Sequence, residues 1–359
     1  MTHALGTTFT QQIGIDFPLI QAPMAGTSTV AMMIAVAKSG ALGSFATGSL
    51  APDAIRSGVA EIRQQTDKPF NVNLFVVAPA TPSAAELEAA FVLLNPIRAE
   101  LGLPPASAPA KFGQNCAEQL EMVIELKVPL VSATFGLLSA AAIERLHLAG
   151  SKVIGVATNV AESLAWKHNG ADYICAQGAE AGGHRGTFIG TCEDSMIGTM
   201  ALVPQVVDAV GIPVIAAGGM MDGRGIAAAL TLGAQAAQLG TAFVSCAEAA
   251  SHVAWKALLR TAADTSTRAT PTFSGRHARG IVNDYIRCMT PHLAELPPYP
   301  VLNALTREIR TAAAKANRPE YLSLWAGQAA GMSNRRADGI GAAELVRQLI
   351  EETSAVWNR

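Results

Sequence analysis

Between residues 19 and 239 the chain repeats one pattern: a short apolar run, a polar or glycine-containing turn, a stretch of helical periodicity, a glycine, then the next apolar run. Strand-length runs fall near 19–24, 42–46, 70–76, 130–135, 153–157, 173–177, 214–217 and 236–239, eight in all. Helical patterns fill 29–38, 52–65, 116–126, 139–149, 160–168, 199–210 and 222–232. Start and stop signals agree with this reading: Asp53 sits in a first turn, and Gly40, Gly150, Gly170, Gly211 and Gly233 follow helix ends. The runs are continuously apolar, the mark of strands covered on both faces, so a parallel sheet is implied.

A parallel sheet of this size is either a closed barrel or an open doubly wound sheet. The position of the irregular residues decides between them. QAPMAG, NVNLF, SATFG, QGAEAGGHRG, AAGGM and QLGTAF all lie at or just after strand C-termini. A barrel builds its site from loops all round that face, whereas an open sheet binds chiefly at one switch point. The expected fold is an α/β (β/α)8 TIM barrel over residues 1–245. Two stretches break the rhythm. Residues 77–114, rich in Ala and Pro around a helical pattern at 84–94, read as an insertion after the third strand. Residues 246–332 hold helical patterns and no convincing strand, and read as a helical lid or substrate subdomain; residues 333–359 return as a C-terminal helix packing back on the barrel.

Composition removes several classes of partner. With 26 Lys and Arg against 28 Asp and Glu and no basic run, the charge pattern of a nucleic-acid binder is missing. No apolar stretch reaches the ~18 residues that span a bilayer. The opening MTHALGTTFTQQIGID has neither the basic nor the apolar segment of a secretory signal. Cys116, Cys175, Cys192, Cys246 and Cys288 are widely spaced with no C-x-x-C, as for reduced thiols. A cytoplasmic protein without nucleic-acid or membrane partners is expected.

The densest candidate for chemistry is the decapeptide from Gln177 to Gly186. Gly182 and Gly183 permit a tight turn and a close approach of backbone to ligand. His184 is expected on a flexible loop at the barrel mouth, titrating near neutral pH as a base. The alternative is a surface histidine, but a Gly-Gly-His-Arg-Gly run has no packing reason for its composition. Arg185 either assists or is solvated. AAGG at 216–219 and QLGT at 238–241 follow the last two strands, where barrels bind phosphate through backbone N–H groups. There Gly218, Gly219 and Gly240 give close approach and Thr241 a hydroxyl, with ordinary βα turns as the competing reading.

Other chemistries find less support. Gly223-Arg-Gly225-Ile-Ala-Ala228 matches G-x-G-x-x-A, but the acidic residue of a dinucleotide site is missing from the end of the next strand. No His pair has i, i+4 spacing, so no metal site is expected. Lys152 lies at the wrong end of its strand for a Schiff base, and Cys192 reads as an incidental thiol. Met24, Met220 and Met221 either line a pocket for an apolar ring or fill core.

Taken in order, QAPMAG (21–26), VNLF (72–75), QGAEAGGHRG (177–186), AAGG (216–219), QLGTAF (238–243) and WAGQ (325–328) resemble the nitronate monooxygenases, formerly 2-nitropropane dioxygenases, over most of the chain. The resemblance implies an FMN-dependent barrel that oxidises alkyl nitronates, propionate 3-nitronate among them, with O2 to a carbonyl compound and nitrite. It implies that Pro23, Met24 and Ala25 contact the flavin ring. It also implies that Asn73, Gln177, Gly182, Gly183, Gly218, Gly219, Gln238, Leu239, Gly240 and Thr241 hold the FMN, with its phosphate at the last two strands. His184 matches the catalytic histidine, and Trp325, Gly327 and Gln328 should close over the ring region. Asn71 departs from the pattern, which commonly has Gly there.

In that chemistry a positioned imidazole removes the acidic C–H proton of a neutral nitroalkane, or binds the anion when the substrate arrives as nitronate. Turnover of neutral nitroalkanes and homo-oligomerisation stay open at this point. So do two other readings: an FMN-dependent NAD(P)H oxidoreductase of the same fold, either an enoyl-thioester or a quinone reductase, and a non-catalytic flavin-binding protein.

Overall fold

The computed structural model describes residues 5–358. Eight parallel strands, β1 (Leu19–Gln21), β2 (Gly43–Ala46), β3 (Phe70–Phe75), β4 (Leu130–Thr134), β5 (Lys152–Ala157), β6 (Tyr173–Gln177), β8 (Val214–Ala217) and β9 (Ala236–Leu239), lie in the spatial order β1-β9-β8-β6-β5-β4-β3-β2. A parallel bridge between Ile20 and Leu42 joins the two ends and closes the TIM barrel. Helices α2 (Val30–Lys38), α3 (Pro52–Gln65), α5 (Cys116–Glu125), α6 (Ala140–Leu148), α7 (Val160–His168), α8 (Thr199–Val210) and α9 (Gly223–Thr231) follow the strands. Their starts are set locally: Thr29, Ser139, Asn159 and Asp222 each accept a first-turn N–H through the side chain.

The barrel interior changes character along its axis. At the N-terminal end stands Phe9 of α1 (Thr8–Ile13), edge-on to Tyr173 with centroids 5.0 Å apart, and Thr7 donates its hydroxyl to the Gln235 carbonyl at 2.7 Å. Above this apolar plug the interior becomes polar. Asn71 Nδ2 donates to Ser44 Oγ at 3.1 Å and Ser132 Oγ at 2.9 Å, and Asn73 Nδ2 donates to Ser132 Oγ at 3.0 Å and Thr134 Oγ1 at 3.2 Å. These contacts occupy the Asn73 amide nitrogen and leave its oxygen for whatever lies above.

A second core forms over the mouth. The segment after β3 carries α4 (Ala84–Glu100), which runs past the expected end at 94 with Pro96 inside it. Its Ala90, Leu94 and Ile97 share one buried cluster with residues of α11 (Val253–Thr261), α12 (Asp284–Met289), α13 (Val301–Leu305) and α14 (Arg307–Lys315). Arg98, almost fully buried, meets Glu308 at 2.7 Å. The inserted segment thus packs with the residues beyond β9. Finally α15 (Ala342–Trp357) returns to the barrel wall, burying Leu345, Val346 and Leu349 in the main core beside α2 and α9.

One expectation needs correction. Residues 246–332 are not purely helical: β10 (Thr267–Thr270) and β11 (Ala278–Ile281) pair antiparallel, and β11 pairs in turn with β7 (Gly183–His184). TRAT and ARGI have no apolar run, and ARGI is held on its other edge by Gly183 and His184, about a hundred residues earlier in the chain, so neither periodicity nor propensity marks the pair.

Candidate active site

A cavity of about 460 Å³ opens at the C-terminal end of the barrel, within the size range of small-molecule sites. Of the residues singled out from the sequence, Pro23, Met24, Ala25, Asn73, Gln177, Gly182, Gly183, His184, Gly218, Gly219, Gln238, Gly240, Thr241, Trp325 and Gly327 all line it, with Met220 and Met221. Leu239 and Gln328 do not. Leu239 faces the core, as alternation along β9 requires, and Gln328 is exposed, its N–H donating to the Glu180 carbonyl at 3.0 Å.

One end of the cavity presents backbone with few side chains. The neighbouring helices carry their own carboxylates: both Glu180 oxygens accept from Thr199 N at 2.9 Å on α8, and Asp222 caps α9 at Arg224 N, 3.1 Å. The short α10 (Thr241–Val244) that follows Gly240 has no side-chain cap, and of its first turn Phe243 N–H bonds back to Gly240 O at 2.9 Å. Gly218 and Gly219 adopt φ of 119° and 73°, conformations that residues with a side chain rarely take, and they bring bare backbone to the same wall. The match of Gly223 and Gly225 to a dinucleotide fingerprint has another cause: a Cβ at Gly223 would collide with α15 at Glu352 and Thr353.

His184 sits differently from expectation. It is not on a flexible loop but in β7, paired with Ala278 of β11. Phe135, Tyr299 and Trp325 surround its ring at centroid distances of 5.6, 5.6 and 5.4 Å. Burial among them, with the positive charges of Arg276 and Arg310, pushes its pKa down to about 3, so the imidazole is neutral at physiological pH. Nε2 lies 2.8 Å from the hydroxyl of Ser274. Tyr299 is pushed up to about 12 by burial and remains a neutral phenol.

Around His184 cations outnumber carboxylates. Arg185 is neither solvated nor turned to the cavity: it is 1% exposed and donates to the carbonyls of Gly178 (2.6 Å), Gln177 (3.2 Å) and Ser195 (2.9 Å), clamping both ends of the loop after β6. Arg276 lies 4.3 Å from the Phe135 ring centroid and donates to the carbonyls of Arg185 and Thr187. Arg310 lines the cavity and donates Nη2 to Asn303 O and Oδ1 at 2.7 and 3.1 Å. None of the three has a carboxylate partner among the described residues. The neutral imidazole of His184 thus shares the cavity wall with the guanidiniums of Arg307 and Arg310 and feels the positive charge of Arg276 beside it.

Sequence reading missed Ser274, Arg276, Tyr299, Asn303 and Arg310. All five come from beyond β9, where no strand end or glycine-rich turn flags a site. Cys192 and Lys152 behave as expected: burial raises the Cys192 thiol, and Lys152 pairs with Asp172 at 2.9 Å, away from the cavity. No cluster of metal-ligating side chains occurs among the described residues, and no described helix is long and apolar enough to cross a membrane.

A family model described as nitronate monooxygenase matches residues 7–352. A probable nitronate monooxygenase of Staphylococcus haemolyticus is 38% identical over 349 residues, covering 97% of each chain. Among solved structures, nitroalkane oxidase from Streptomyces ansochromogenes superposes with a TM-score of 0.88 at 36% identity, covering 98% of this chain and 99% of that one. FabK from Thermotoga maritima follows at 0.77 and 28%, covering 99% and 98%. Barrel, decapeptide and full-length similarity agree, and the chain belongs to the nitronate monooxygenase family.

Proposed function

We propose that this protein binds FMN and oxidises alkyl nitronates with O2 to carbonyl compounds and nitrite, a reaction that would serve to detoxify nitro compounds. The observation that carries the reading is the chamber around His184: a neutral imidazole beside cations that lack carboxylate partners, in a chain of this family. FMN suits the cavity. Its phosphate would be held by backbone at Gly218, Gly219, Gly240 and Thr241. The ring would meet Pro23, Met24, Ala25 and the free oxygen of Asn73, and Trp325 and Gly327 would close over it. When bound, the flavin supplies the electron transfer, and the protein supplies binding and electrostatics.

The chain's own residues would act on the substrate. Arg310 and the field of Arg276 attract and orient the nitronate anion, and the guanidinium of Arg310 suits substrates with a carboxylate tail, such as propionate 3-nitronate. Tyr299 and Trp325 exclude water from the ring of His184. For a neutral nitroalkane, His184 takes the proton from carbon and the imidazolium stays beside the anion it has made. Gln177 lines the cavity while its Nε2 donates to His184 O at 3.0 Å and its Oε1 accepts from Gly186 N at 2.8 Å, which leaves one N–H and one lone pair of its amide for the flavin.

The test is spectroscopic. Purified protein should show a flavin spectrum that bleaches or changes on anaerobic addition of a nitronate and recovers with O2 as nitrite appears. The 28% identity to FabK keeps an NAD(P)H-dependent reductase as the second reading. Rapid bleaching by NADH or NADPH with no oxygen uptake on nitronate would establish that one in its place, and a bound flavin inert to all three would leave a binding protein.

A further inference from the structure

We infer that Ser274 is a positioning residue that fixes the tautomer of His184, so that Nε2 carries the proton and Nδ1 is the basic nitrogen presented to substrate. The inference rests on the proposed reaction for its chemical meaning, but the tautomer itself follows from hydrogen-bond counting. The Ser274 hydroxyl has one proton to give and two lone pairs with which to accept. Three groups surround it: His184 Nε2 at 2.8 Å, the carbonyl of Arg276 at 3.0 Å and the N–H of Arg276 at 3.4 Å. The carbonyl can only accept and the N–H can only donate. Ser274 therefore gives its proton to Arg276 O and takes bonds from Arg276 N–H and from His184 Nε2–H. The opposite arrangement would turn the hydroxyl towards Nε2 and leave the Arg276 carbonyl without this donor, a cost in a place where Ser274 itself is 1% exposed.

Nδ1, in contrast, has no protein partner among the described residues, and His184 lines the cavity. The second ring nitrogen is thus held as a donor by the protein, and the first is left as an acceptor for the substrate. This is the arrangement by which a carbonyl or hydroxyl behind a histidine usually sets which nitrogen works. Ser274 reaches this place through the turn between β10 and β11, and β11 also pairs with β7, so one sheet carries both members of the contact. In the reaction, the C–H bond of a neutral nitroalkane breaks, its electron pair goes into the nitronate, and the proton forms a new N–H bond at Nδ1. Nε2–H stays bonded to Ser274 throughout, which holds the imidazolium in place.

The experiment is long-range 1H–15N NMR on the holoenzyme with 15N-labelled histidine, the His184 signals being assigned by their loss in His184→Asn. The expected result is a pyridine-like Nδ1 and a pyrrole-like Nε2 at neutral pH. In Ser274→Ala the two signals should move towards each other as the tautomers mix, and in Ser274→Thr they should stay in place. In kinetics, Ser274→Ala should lower kcat for neutral nitroalkanes about tenfold or more, with preformed nitronates changed less than about threefold and the threonine variant close to the parent. A pyrrole-like Nδ1 in the parent protein overturns the inference, and so does an unchanged tautomer in Ser274→Ala. If that variant does not fold, the parent spectrum alone decides the tautomer. Nitronates that fail to turn over while the NMR result holds would count against the proposed reaction and leave the tautomer standing.

Discussion

Gln177, the last residue of β6, holds the backbone on both sides of Arg185: its amide nitrogen donates to His184 O and its amide oxygen accepts from Gly186 N. One side chain from the barrel wall thus fixes the strand that carries the histidine. Arg185, between the two bonds, turns inward and binds three carbonyls. The segment that carries the histidine is thus tied at His184, Arg185 and Gly186.

Replacing the base should separate two kinds of substrate. His184→Asn should lower turnover of neutral nitroalkanes by about 10²-fold or more, the scale of a lost general base. Preformed nitronates need no proton removed and should fall much less. Steady-state nitrite release with both substrate forms measures this, and equal losses would refute the base role.

The buried imidazole should also make the fold acid-labile. Its pKa in the fold, about 3, lies below the ordinary 6.5, so the unfolded chain takes up the proton first as pH falls. The stability tied to neutral His184 is complete above about 6.5 and drains away towards 3. Melting temperatures between pH 7.5 and 4 should fall more steeply for the parent than for His184→Gln (about this range). Parallel curves would show that the residue is not buried as described.

Arg310 should govern affinity. Arg310→Met removes one of the two guanidiniums, with that of Arg307, that line the cavity among the described residues, and KM for nitronates should rise about 10- to 100-fold, the worth of one hydrogen bond to a charged group. The effect should be largest for nitronates with a carboxylate tail. An unchanged KM across ethyl, propyl and carboxylated nitronates would remove Arg310 from substrate binding.

The proposed phosphate wall is tested at Gly219. With φ at 73° and Glu180 3.3 Å from an added Cβ, Gly219→Val strains the backbone and crowds the wall. The variant should purify with a flavin-to-protein absorbance ratio below about half of the parent's. Full flavin content would count against the assignment.

Much of the barrel was legible because its signals are local. The elements at 52–65, 160–168, 173–177, 199–210, 214–217 and 236–239 have the bounds that the apolar runs, Asp53 and Gly211 imply. The cavity wall was legible for a similar reason, since its glycines and His184 sit directly after strands. What stayed hidden depends on distant partners. Ser274 gains its meaning only opposite His184, and ARGI is fixed between TRAT and the distant Gly183–His184 strand. The near-neutral titration expected of His184 failed because Phe135, Tyr299 and Trp325 come from three separate parts of the chain to bury it. Helix α1 offered too few turns to stand out, though its Phe9 closes the barrel floor.

His184 takes its place from the barrel through Gln177 and from the segment beyond β9 through Ala278 and Ser274. That same segment supplies Tyr299, Asn303 and Arg310 to the cavity wall. Under the proposed reaction, a change in this segment that admits a different tail would also shift the imidazole that takes the proton, so that selectivity and reactivity would be coupled.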